Sequence, residues 1–323
     1  MAFAGCGMVS RLHRAAVCET PGLRLVGVHD QDLDLARARG EEWGVRAYTS
    51  LPELLEDGAV EAVYVLTPAA SHVPIARLCL EAGRHVLVEK PVAPAAEEIQ
   101  RLEEAATAAQ RVVMPAHNYA YTPEFRRMRR LLLGGDLGRV RGLWVHYALR
   151  HPEEIAAAYG GVLDEVMIHH AYLALSLLGP PEHLHAGLHP GAWQRLGQDD
   201  QAWMVWEYEG GETASLFATF AADDESSEPW TFQVKVLGTE GSAVFNWRGA
   251  VARNRSTPWF AFGLPIYEET FRHEAEAFRM AVVEGAPLLS SLGDAAACCR
   301  LIGAAREAAE HHEVVHRGEL HRW

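Results

Sequence analysis

Cysteine is scarce in this sequence, and its spacing argues against two kinds of site. The 323 residues include five cysteines, an odd number, and no two of them form a Cys-x-x-Cys pair. A cysteine zinc site and a framework of structural disulfides are therefore not expected. Reduced thiols are the rule in the cytoplasm, so we predict a cytoplasmic protein without a metal site.

Long apolar runs and blocks of positive charge are missing as well. No run of about 18 apolar residues occurs, which argues against a membrane span, and the first residues lack the basic and apolar regions of a signal peptide. The formal net charge is −14 and the arginines are scattered. Because nucleic-acid binding depends on Lys and Arg that neutralise phosphates, we expect neither a membrane nor a nucleic-acid partner.

Short apolar runs alternate with helical patterns over the first 120 residues. The strand patterns fall at 1–4, 23–29, 62–66, 85–88 and 112–116, and the helical patterns at about 8–19, 31–43, 71–82 and 95–109. Such alternation is typical of βαβ units with a parallel sheet. Continuous apolar strands indicate burial on both faces of that sheet.

The pattern changes near residue 120, where we place a domain boundary. Helical stretches near 123–134 and 164–178 bracket a strand at 140–149, residues 183–264 are mostly β, and helices near 267–284 and 293–310 follow. This order predicts that residues 121–323 form a second domain with an antiparallel or mixed sheet. The option that the last helices pack back onto the domain of residues 1–120 is left open.

A glycine-rich turn links the first strand to the first helix. It reads Gly5-Cys6-Gly7-Met8-Val9-Ser10, with Ser10 where the dinucleotide-binding fingerprint has Gly or Ala. A glycine pair permits a tight turn close to a pyrophosphate, and the helix N-terminus offers N–H groups to the anion. We therefore predict an N-terminal Rossmann domain that holds its cofactor with Gly5, Gly7, Met8 and Val9.

Asp30 follows the second predicted strand, at the distance from the glycine turn where the fingerprint has an acidic residue. A carboxylate at this point accepts hydrogen bonds from the adenosine ribose and repels a 2′-phosphate, which favours NAD over NADP. Two alternatives stay open. Asp30 could only cap the following helix, or Asp32 or Asp34 could occupy the ribose position.

The segment Glu89-Lys90-Pro91 directly follows the strand pattern at 85–88. Ligands of open parallel sheets bind at the carboxyl ends of the strands, so we expect Lys90 to face the nicotinamide. It is one of two lysines in the chain, the other being Lys235. In a chain that otherwise uses arginine, this favours a need for a compact ammonium that can exchange a proton. The alternative is a solvated loop lysine.

Three further segments stand in a recognisable order with the glycine turn and Glu89-Lys90-Pro91. They are Thr67-Pro68-Ala69-Ala70-Ser71-His72, Asn118-Tyr119-Ala120-Tyr121-Thr122-Pro123 and Gly238-Thr239-Glu240-Gly241-Ser242. Together the five segments resemble motifs of the Gfo/Idh/MocA family, which includes glucose–fructose oxidoreductase and inositol dehydrogenases. The resemblance covers nearly the whole chain.

The resemblance has implications for the fold and for the site. It implies an α/β protein whose C-terminal domain has a large, mostly antiparallel open sheet, used for substrate binding and for homodimers or homotetramers. It implies that Lys90 contacts both substrate and cofactor and that the Lys90–Pro91 bond is cis. It also assigns to the cofactor or the substrate a set of flanking residues: Thr67, Pro68, His72, Glu89, Asn118 and Tyr121.

Residues 160–172 resemble the family's pattern Gly-Gly-Gly-x-Leu-x-Asp-x-Gly-x-His-x-x-Asp. Aligning Leu163 and His169 with that pattern puts Glu165 at its first Asp, Met167 at its fourth Gly and Tyr172 at its last Asp. Tyr172 thus replaces a carboxylate that binds hydroxyls in many sugar-acting relatives. We assign Tyr172 to the substrate, whose identity this departure leaves open.

Helix geometry supports the same alignment. Residues 165, 169, 172 and 176 lie at i, i+4, i+7 and i+11, so an α-helix places them on one polar face. His170 lies on a neighbouring apolar stripe, where packing in the core is the simpler interpretation. We therefore favour His169, while Asp164 and His170 remain alternatives.

These residue types suit the oxidation of an alcohol, which needs a base for the hydroxyl proton while a hydride leaves. His169 can be that base, Lys90 can polarise the oxygen, and Glu165 can orient the imidazole or bind a substrate hydroxyl. We expect Lys90 and His169 to converge on the nicotinamide ring.

We predict an NAD(P)-dependent dehydrogenase or reductase that acts on CH–OH groups of a sugar, an inositol or a similar polyol. The alternative is a non-catalytic NAD(P)-binding regulatory or scaffold protein of the same fold. Metal-dependent hydrolysis by His183, His185 and His189 has less support, because no carboxylate stands at a convincing ligand spacing.

Overall fold

The computed structural model describes residues 1–151, 160–191, 198–222, 230–246, 249–254, 258–261 and 267–322. The chain divides into two compact units. Unit 1 contains Met1–Tyr121 and Tyr267–Ala297, and unit 2 contains Thr122–Ile266 and Cys298–Trp323. Unit 1 therefore takes in a segment from the last sixty residues of the chain.

The α-helices are, in chain order, α1 (Met8–Glu19), α2 (Leu33–Trp43), α3 (Leu51–Glu56), α4 (His72–Glu81), α5 (Ala96–Ala109), α6 (Pro123–Leu133), α7 (Ile168–Leu178), α8 (Tyr267–Glu284) and α9 (Leu292–His311). Short 3₁₀ turns cover Ala69–Ser71, Asn118–Tyr121 and Arg317–Arg322. A π-helical turn, Leu163–Met167, leads directly into α7. No helix in the described ranges is both long and apolar enough to cross a membrane.

The strands are β1 (Ala2–Ala4), β2 (Gly27–His29), β3 (Arg46–Ala47), β4 (Ala62–Val65), β5 (His85–Val88), β6 (Val113–Pro115), β7 (Val140–Ala148), β8 (His183–His189), β9 (Gln201–Glu207), β10 (Thr213–Thr219), β11 (Thr231–Gly238), β12 (Gly241–Asn246), β13 (Gly249–Asn254), β14 (Pro258–Ala261) and β15 (Val315–His316).

The sheet of unit 1 has six parallel strands in the order β3-β2-β1-β4-β5-β6. This arrangement confirms the predicted N-terminal Rossmann sheet. Two elements, β3 and α3, were not predicted, because a strand of two residues leaves no periodic pattern. The strand β2 is also shorter than the apolar run at 23–29 suggested, since only its last three residues pair with β1.

The ends of the first two helices differ in a way that matters for binding. Helix α2 begins at an Asp32 side chain that accepts the N–H groups of Asp34 and Leu35, and it ends at Gly44 in the left-handed conformation. Helix α1 begins after Gly7 with no side-chain cap and no acidic residue in its first turn. No side chain of α1 itself therefore compensates the positive dipole end at its N-terminus.

The sheet of unit 2 has nine strands in the order β14-β13-β12-β11-β7-β10-β9-β8-β15. Its strands are antiparallel to their neighbours except for the parallel pair β7 and β10. Burial alternates along β9, where Ala202, Met204 and Trp206 are buried and the residues between them are partly exposed. One face of this sheet therefore covers a core, and the predicted large, mostly antiparallel sheet is confirmed.

Candidate active site

Unit 1 contains a cavity of about 680 Å³ at the carboxyl ends of β1, β2 and β4. The order of the strands reverses between β1 and β4, and dinucleotides bind at such a switch point in Rossmann sheets. The lining includes most of the residues predicted to hold the cofactor: Gly5, Gly7, Met8, Val9, Asp30, Thr67 and Pro68. The structure thus brings these seven predicted residues together around one cavity.

The glycine turn lies close against the end of β4. Gly5 has a φ of +106°, and a Cβ atom at this position would stand 2.6 Å from the carbonyl of Leu66. Around Gly7 the corresponding space is open. The Ser10 hydroxyl is buried and donates to the Gly7 carbonyl at 2.6 Å, so it closes the turn from inside. The turn therefore offers backbone and open space to a ligand, which suits a pyrophosphate.

The hydrogen bonds of Asp30 distinguish between its two possible roles, ribose binding and capping of α2. Its carboxylate accepts the N–H of Cys6 at 2.8 Å and the N–H of Asp32 at 3.0 Å. The helix α2 is capped by Asp32 instead. Asp30 is thus fixed to the glycine turn with its carboxylate at the cavity wall, where it suits the hydroxyls of a ribose. Burial, with the charge of Asp30 as a second cause, raises the pKa of the Cys6 thiol to about 12.

Glu89 is buried beside Lys90 and is held by two donors. One carboxylate oxygen lies 2.8 Å from Nε2 of His13, and the other accepts the backbone N–H of Lys90 at 2.9 Å. Burial alone raises the pKa of Glu89, but the hydrogen bond from His13 and the charge of Lys90 outweigh it and leave the pKa below its ordinary value. Lys90 therefore stands next to an ionised carboxylate, and the Lys90–Pro91 bond is cis, as the resemblance implies.

His13 was missed by sequence analysis. It lies on the buried face of α1 with Ser10, Ala16 and Val17. A single histidine in an apolar helical stripe was the one local signal, and its partner Glu89 is 76 residues away in the chain.

His72 is the first residue of α4, after the loop that follows β4, and it is almost fully buried. Its Nδ1 is 2.9 Å from the carbonyl oxygen of Pro91, and its Nε2 bonds to the carbonyl oxygen of Thr67. The Thr67 hydroxyl in turn accepts from Ser71 at 2.8 Å. With both ring nitrogens engaged by the backbone, His72 joins the loop after β4 to the turn after β5, and it does not line the cavity.

Asn118 and Tyr121 are also buried rather than part of the cavity wall. The Asn118 amide donates to the Thr270 hydroxyl at 2.6 Å, and the Tyr121 hydroxyl accepts the backbone N–H of Ser290 at 3.1 Å. These bonds tie the 3₁₀ turn Asn118–Tyr121 to the C-terminal segment of unit 1. Their assignment to nicotinamide or substrate stays a prediction.

In unit 2 the predicted catalytic residues lie at the junction of the π-helical turn and α7. Glu165 is partly exposed within the turn, His169 is 8% exposed and Tyr172 is 2% exposed. The spacing of four residues from Glu165 to His169 spans the end of the π turn and the start of α7, and it is close to one full turn in either geometry. π turns inside helices are frequent at functional sites.

His170 packs in the core of unit 2. It is fully buried, its ring centroid is 6.3 Å from that of Phe232, and neither ring nitrogen has a hydrogen-bond partner among the described residues. Burial lowers its pKa to about 3, so the ring is neutral. A ring in this position is a poor candidate for the base.

Two aspartates support the start of this helical region. Asp199 accepts the N–H of Leu163 at 2.8 Å, and burial raises the pKa of Asp199. The carboxylate of Asp164 forms an ion pair with Arg306 at 2.8 Å. Asp199 was not predicted, because it is 36 residues from the helix that it caps. Asp164, an alternative for the catalytic role, is used in a structural pair.

Two of the three histidines weighed for metal-dependent hydrolysis have separate partners. His183 lies 2.9 Å from His316 through their Nδ1 atoms, and His185 lies 3.6 Å from a carboxylate oxygen of Glu207. Within the described ranges, no group of three potential metal ligands comes together.

Comparison with known proteins identifies the family to which the two parts of the chain belong. Residues 1–117 match the model of an oxidoreductase family with an NAD-binding Rossmann fold, and residues 125–244 match the GFO/IDH/MocA C-terminal domain. A protein named uncharacterized oxidoreductase ORF334 from Rhizobium meliloti is 37% identical over 123 residues, which is 38% of this chain and 37% of that protein.

Two further relatives match along almost their whole length. A protein named inositol 2-dehydrogenase from Rhizobium meliloti (strain 1021) is 25% identical over 96% of this chain and 97% of its own. A second match is the crystal structure of GenD2 from gentamicin A biosynthesis in complex with NAD. Its sequence is 26% identical to this chain, and the two structures superpose with a TM-score of 0.82 over 98% of this chain and 95% of GenD2. With both of its domain models matched in order, the chain belongs to the GFO/IDH/MocA family of NAD-binding oxidoreductases.

Proposed function

We propose that the chain is an NAD-dependent dehydrogenase that transfers a hydride between the nicotinamide and a hydroxyl or keto group of a sugar, an inositol or a similar polyol. The observation that carries this proposal is the position of Asp30 and Lys90 at the carboxyl edge of one parallel sheet. There the first can bind a ribose and the second can polarise a substrate oxygen. The relative named inositol 2-dehydrogenase supports the substrate class.

NAD is preferred to NADP in this proposal because of the charge at Asp30. Its carboxylate is held at the cavity wall by the N–H groups of Cys6 and Asp32. A 2′-phosphate placed at the same ribose would meet that negative charge. The GenD2 structure, solved with NAD, supports the same choice of cofactor.

The roles of the side chains follow from their chemistry. A bound nicotinamide would supply the hydride chemistry. Lys90 would stabilise negative charge that develops on the substrate oxygen, and His169 would take the hydroxyl proton in oxidation or return it in reduction. Glu165 would orient His169 or bind a hydroxyl, and Tyr121 and Tyr172 would contact the substrate.

A cofactor-linked screen tests the proposed function. The protein is mixed with NAD and a panel that includes myo-inositol, D-xylose and D-glucose, and with NADH and keto-sugars, and the absorbance of NADH is followed. We expect steady turnover with at least one polyol or its ketone. Tight NAD binding without turnover across the panel would instead favour a non-catalytic regulatory or scaffold protein.

We further propose a cytoplasmic homodimer or homotetramer formed through the open face of the nine-stranded sheet. Trp144 on β7 and Leu237 on β11 are 40% and 41% exposed on strands that lie side by side. A second chain packed on this face would remove both apolar side chains from water. Sedimentation equilibrium should give two or four chains, and a monomer at micromolar concentration would contradict this proposal.

A further inference from the structure

A second acidic side chain, Glu274 on α8, is buried inside unit 1. It is 0% exposed, and neither carboxyl oxygen has a hydrogen-bond partner among the residues that the structure describes. Phe271 and Phe278, about one turn away on either side along α8, pack edge-on against His13 and Tyr64 at 5.0 and 5.4 Å between ring centroids. Glu274 therefore lies on the face of α8 that packs into the interior of unit 1.

Several titratable groups of unit 1 interact with Glu274 directly or through Glu89. Glu274 interacts electrostatically with Tyr64 on β4 and Glu89 after β5. Glu89 in turn interacts with His13 on α1, with Lys90 and with His117 after β6. The hydroxyl of Tyr64 and Nδ1 of His13 are buried and, like Glu274, lack a hydrogen-bond partner among the described residues. Burial lowers the pKa of His117 to about 3, so that ring adds no positive charge.

The two buried carboxyl groups, Glu89 and Glu274, differ in the number of hydrogen-bond donors around them. Glu89 has two donors, Nε2 of His13 and the N–H of Lys90, whereas Glu274 has none among the described residues. An unpaired buried carboxylate is costly, and two carboxylates that share an interior do not both ionise easily. The negative charge therefore belongs on Glu89. Burial, and then the charge of Glu89, raise the pKa of Glu274 well above its ordinary value.

We propose that Glu274 is held as a neutral carboxylic acid and that His13 and Glu274 are positioning residues for Lys90 that act through Glu89. His13 fixes one oxygen of the Glu89 carboxylate, while the other oxygen holds the backbone of Lys90. Glu274, by staying neutral, adds no second negative charge to that of Glu89 beside the lysine. The link to catalysis rests on the proposed function, whereas the protonation of Glu274 and the anchoring of Lys90 do not.

Infrared spectroscopy tests the neutral acid without any substrate. The spectrum of the whole protein near pH 7.5 minus that of Glu274→Gln should contain the C=O stretching band of a protonated carboxylic acid. Glu276→Gln is the matched control, because Glu276 lies on the same helix but is partly exposed and paired with Arg279. No such band should be lost in the control. Absence of the band from the Glu274 difference spectrum would overturn the assignment.

Thermal unfolding gives a second readout of the same proton. The pKa of Glu274 in the folded protein lies above its value of about 4.3 in the unfolded chain. At a pH between these two pKa values, unfolding releases a proton. The stability of the wild-type protein therefore falls as the pH rises from the lower pKa to the higher one. Glutamine carries no such proton. Glu274→Gln should therefore raise the melting temperature relative to wild type more at pH 8 than at pH 5. An equal change at both pH values, or a rise in Glu276→Gln as well, would contradict the proposal.

The anchoring of Lys90 can be followed by NMR because the chain has two lysines. Both are reductively methylated with ¹³C, and Lys235→Arg identifies the signal of Lys90. In His13→Leu the Lys90 signal should shift or broaden while that of Lys235 stays in place, and His13→Gln, which keeps an N–H donor, should restore part of the change. An unmoved Lys90 signal in folded His13→Leu would overturn the positioning role.

Kinetics then separate this inference from the proposed function. If the screen finds a substrate, His13→Leu should lower kcat by at least about tenfold, because small displacements of a catalytic group are costly, with NAD affinity largely kept. If no substrate turns over, the proposed function fails, and the infrared and NMR results still decide the inference.

Discussion

Replacing Lys90 with alanine should reduce kcat/KM by at least about 100-fold, the usual loss when one electrostatic contact to a developing oxyanion is removed. The dissociation constant for NAD should stay largely unchanged, because the cavity that receives the adenosine and pyrophosphate is lined by other residues, among them Gly5, Asp30 and Thr67. Steady-state rates of NADH formation and calorimetric titration with NAD measure the two quantities separately.

The chain offers a matched control for this experiment. Lys235→Ala removes the other ammonium, which lies 5.8 Å from the ring centroid of Trp144 on the sheet of unit 2. That variant should keep its rate, so a loss specific to position 90 cannot be ascribed to a change in net charge. An undiminished rate in Lys90→Ala would remove this lysine from the mechanism.

Replacing Asp30 with asparagine should shift the cofactor preference toward NADP by at least about fivefold. The substitution removes a unit charge near the 2′-phosphate, and such a pair at close range is worth about 1–4 kcal/mol near a protein surface. Asparagine keeps one acceptor oxygen for the two N–H groups of Cys6 and Asp32, so NAD affinity should also fall. Dissociation constants for NAD and NADP, measured at the same ionic strength, give the ratio.

Asp32→Asn tests whether the effect belongs to Asp30. Asp32 caps α2 through the N–H groups of Asp34 and Leu35, and asparagine is a comparable cap. Its cofactor ratio should match wild type. The account would be wrong if Asp32→Asn changed the preference while Asp30→Asn did not.

The sequence was sufficient for most elements of both units, β3 and α3 being exceptions. Continuous apolar runs followed by helical patterns specify β1, β4, β5 and β6, because strands buried on both faces leave that signature. Strands β9 and β10, which are buried on alternate residues, leave an equally clear alternation of apolar and polar residues in the sequence. Spacing from the glycine turn pointed to Asp30, but it could not distinguish Asp30 from Asp32, since only their hydrogen bonds show which carboxylate caps α2.

Features that depend on distant partners could not be predicted. A π turn of five residues leaves no distinct pattern in the sequence, so Leu163–Met167 was predicted as part of an α-helix. The pairing of His13 with Glu89 and the burial of Glu274 join segments that local periodicity does not connect. Each appears in the sequence as one polar residue in an apolar stripe. That Tyr267–Ala297 belongs to unit 1 is the option that the sequence left open for the last helices.

A crystal structure of the protein with NAD bound tests the central claim most directly. The account predicts the pyrophosphate against Gly5–Val9, the adenosine ribose hydroxyls within hydrogen-bond distance of the Asp30 carboxylate, and the nicotinamide C4 on the side of Lys90. A cofactor bound outside this cavity, or a nicotinamide turned away from Lys90, would contradict it.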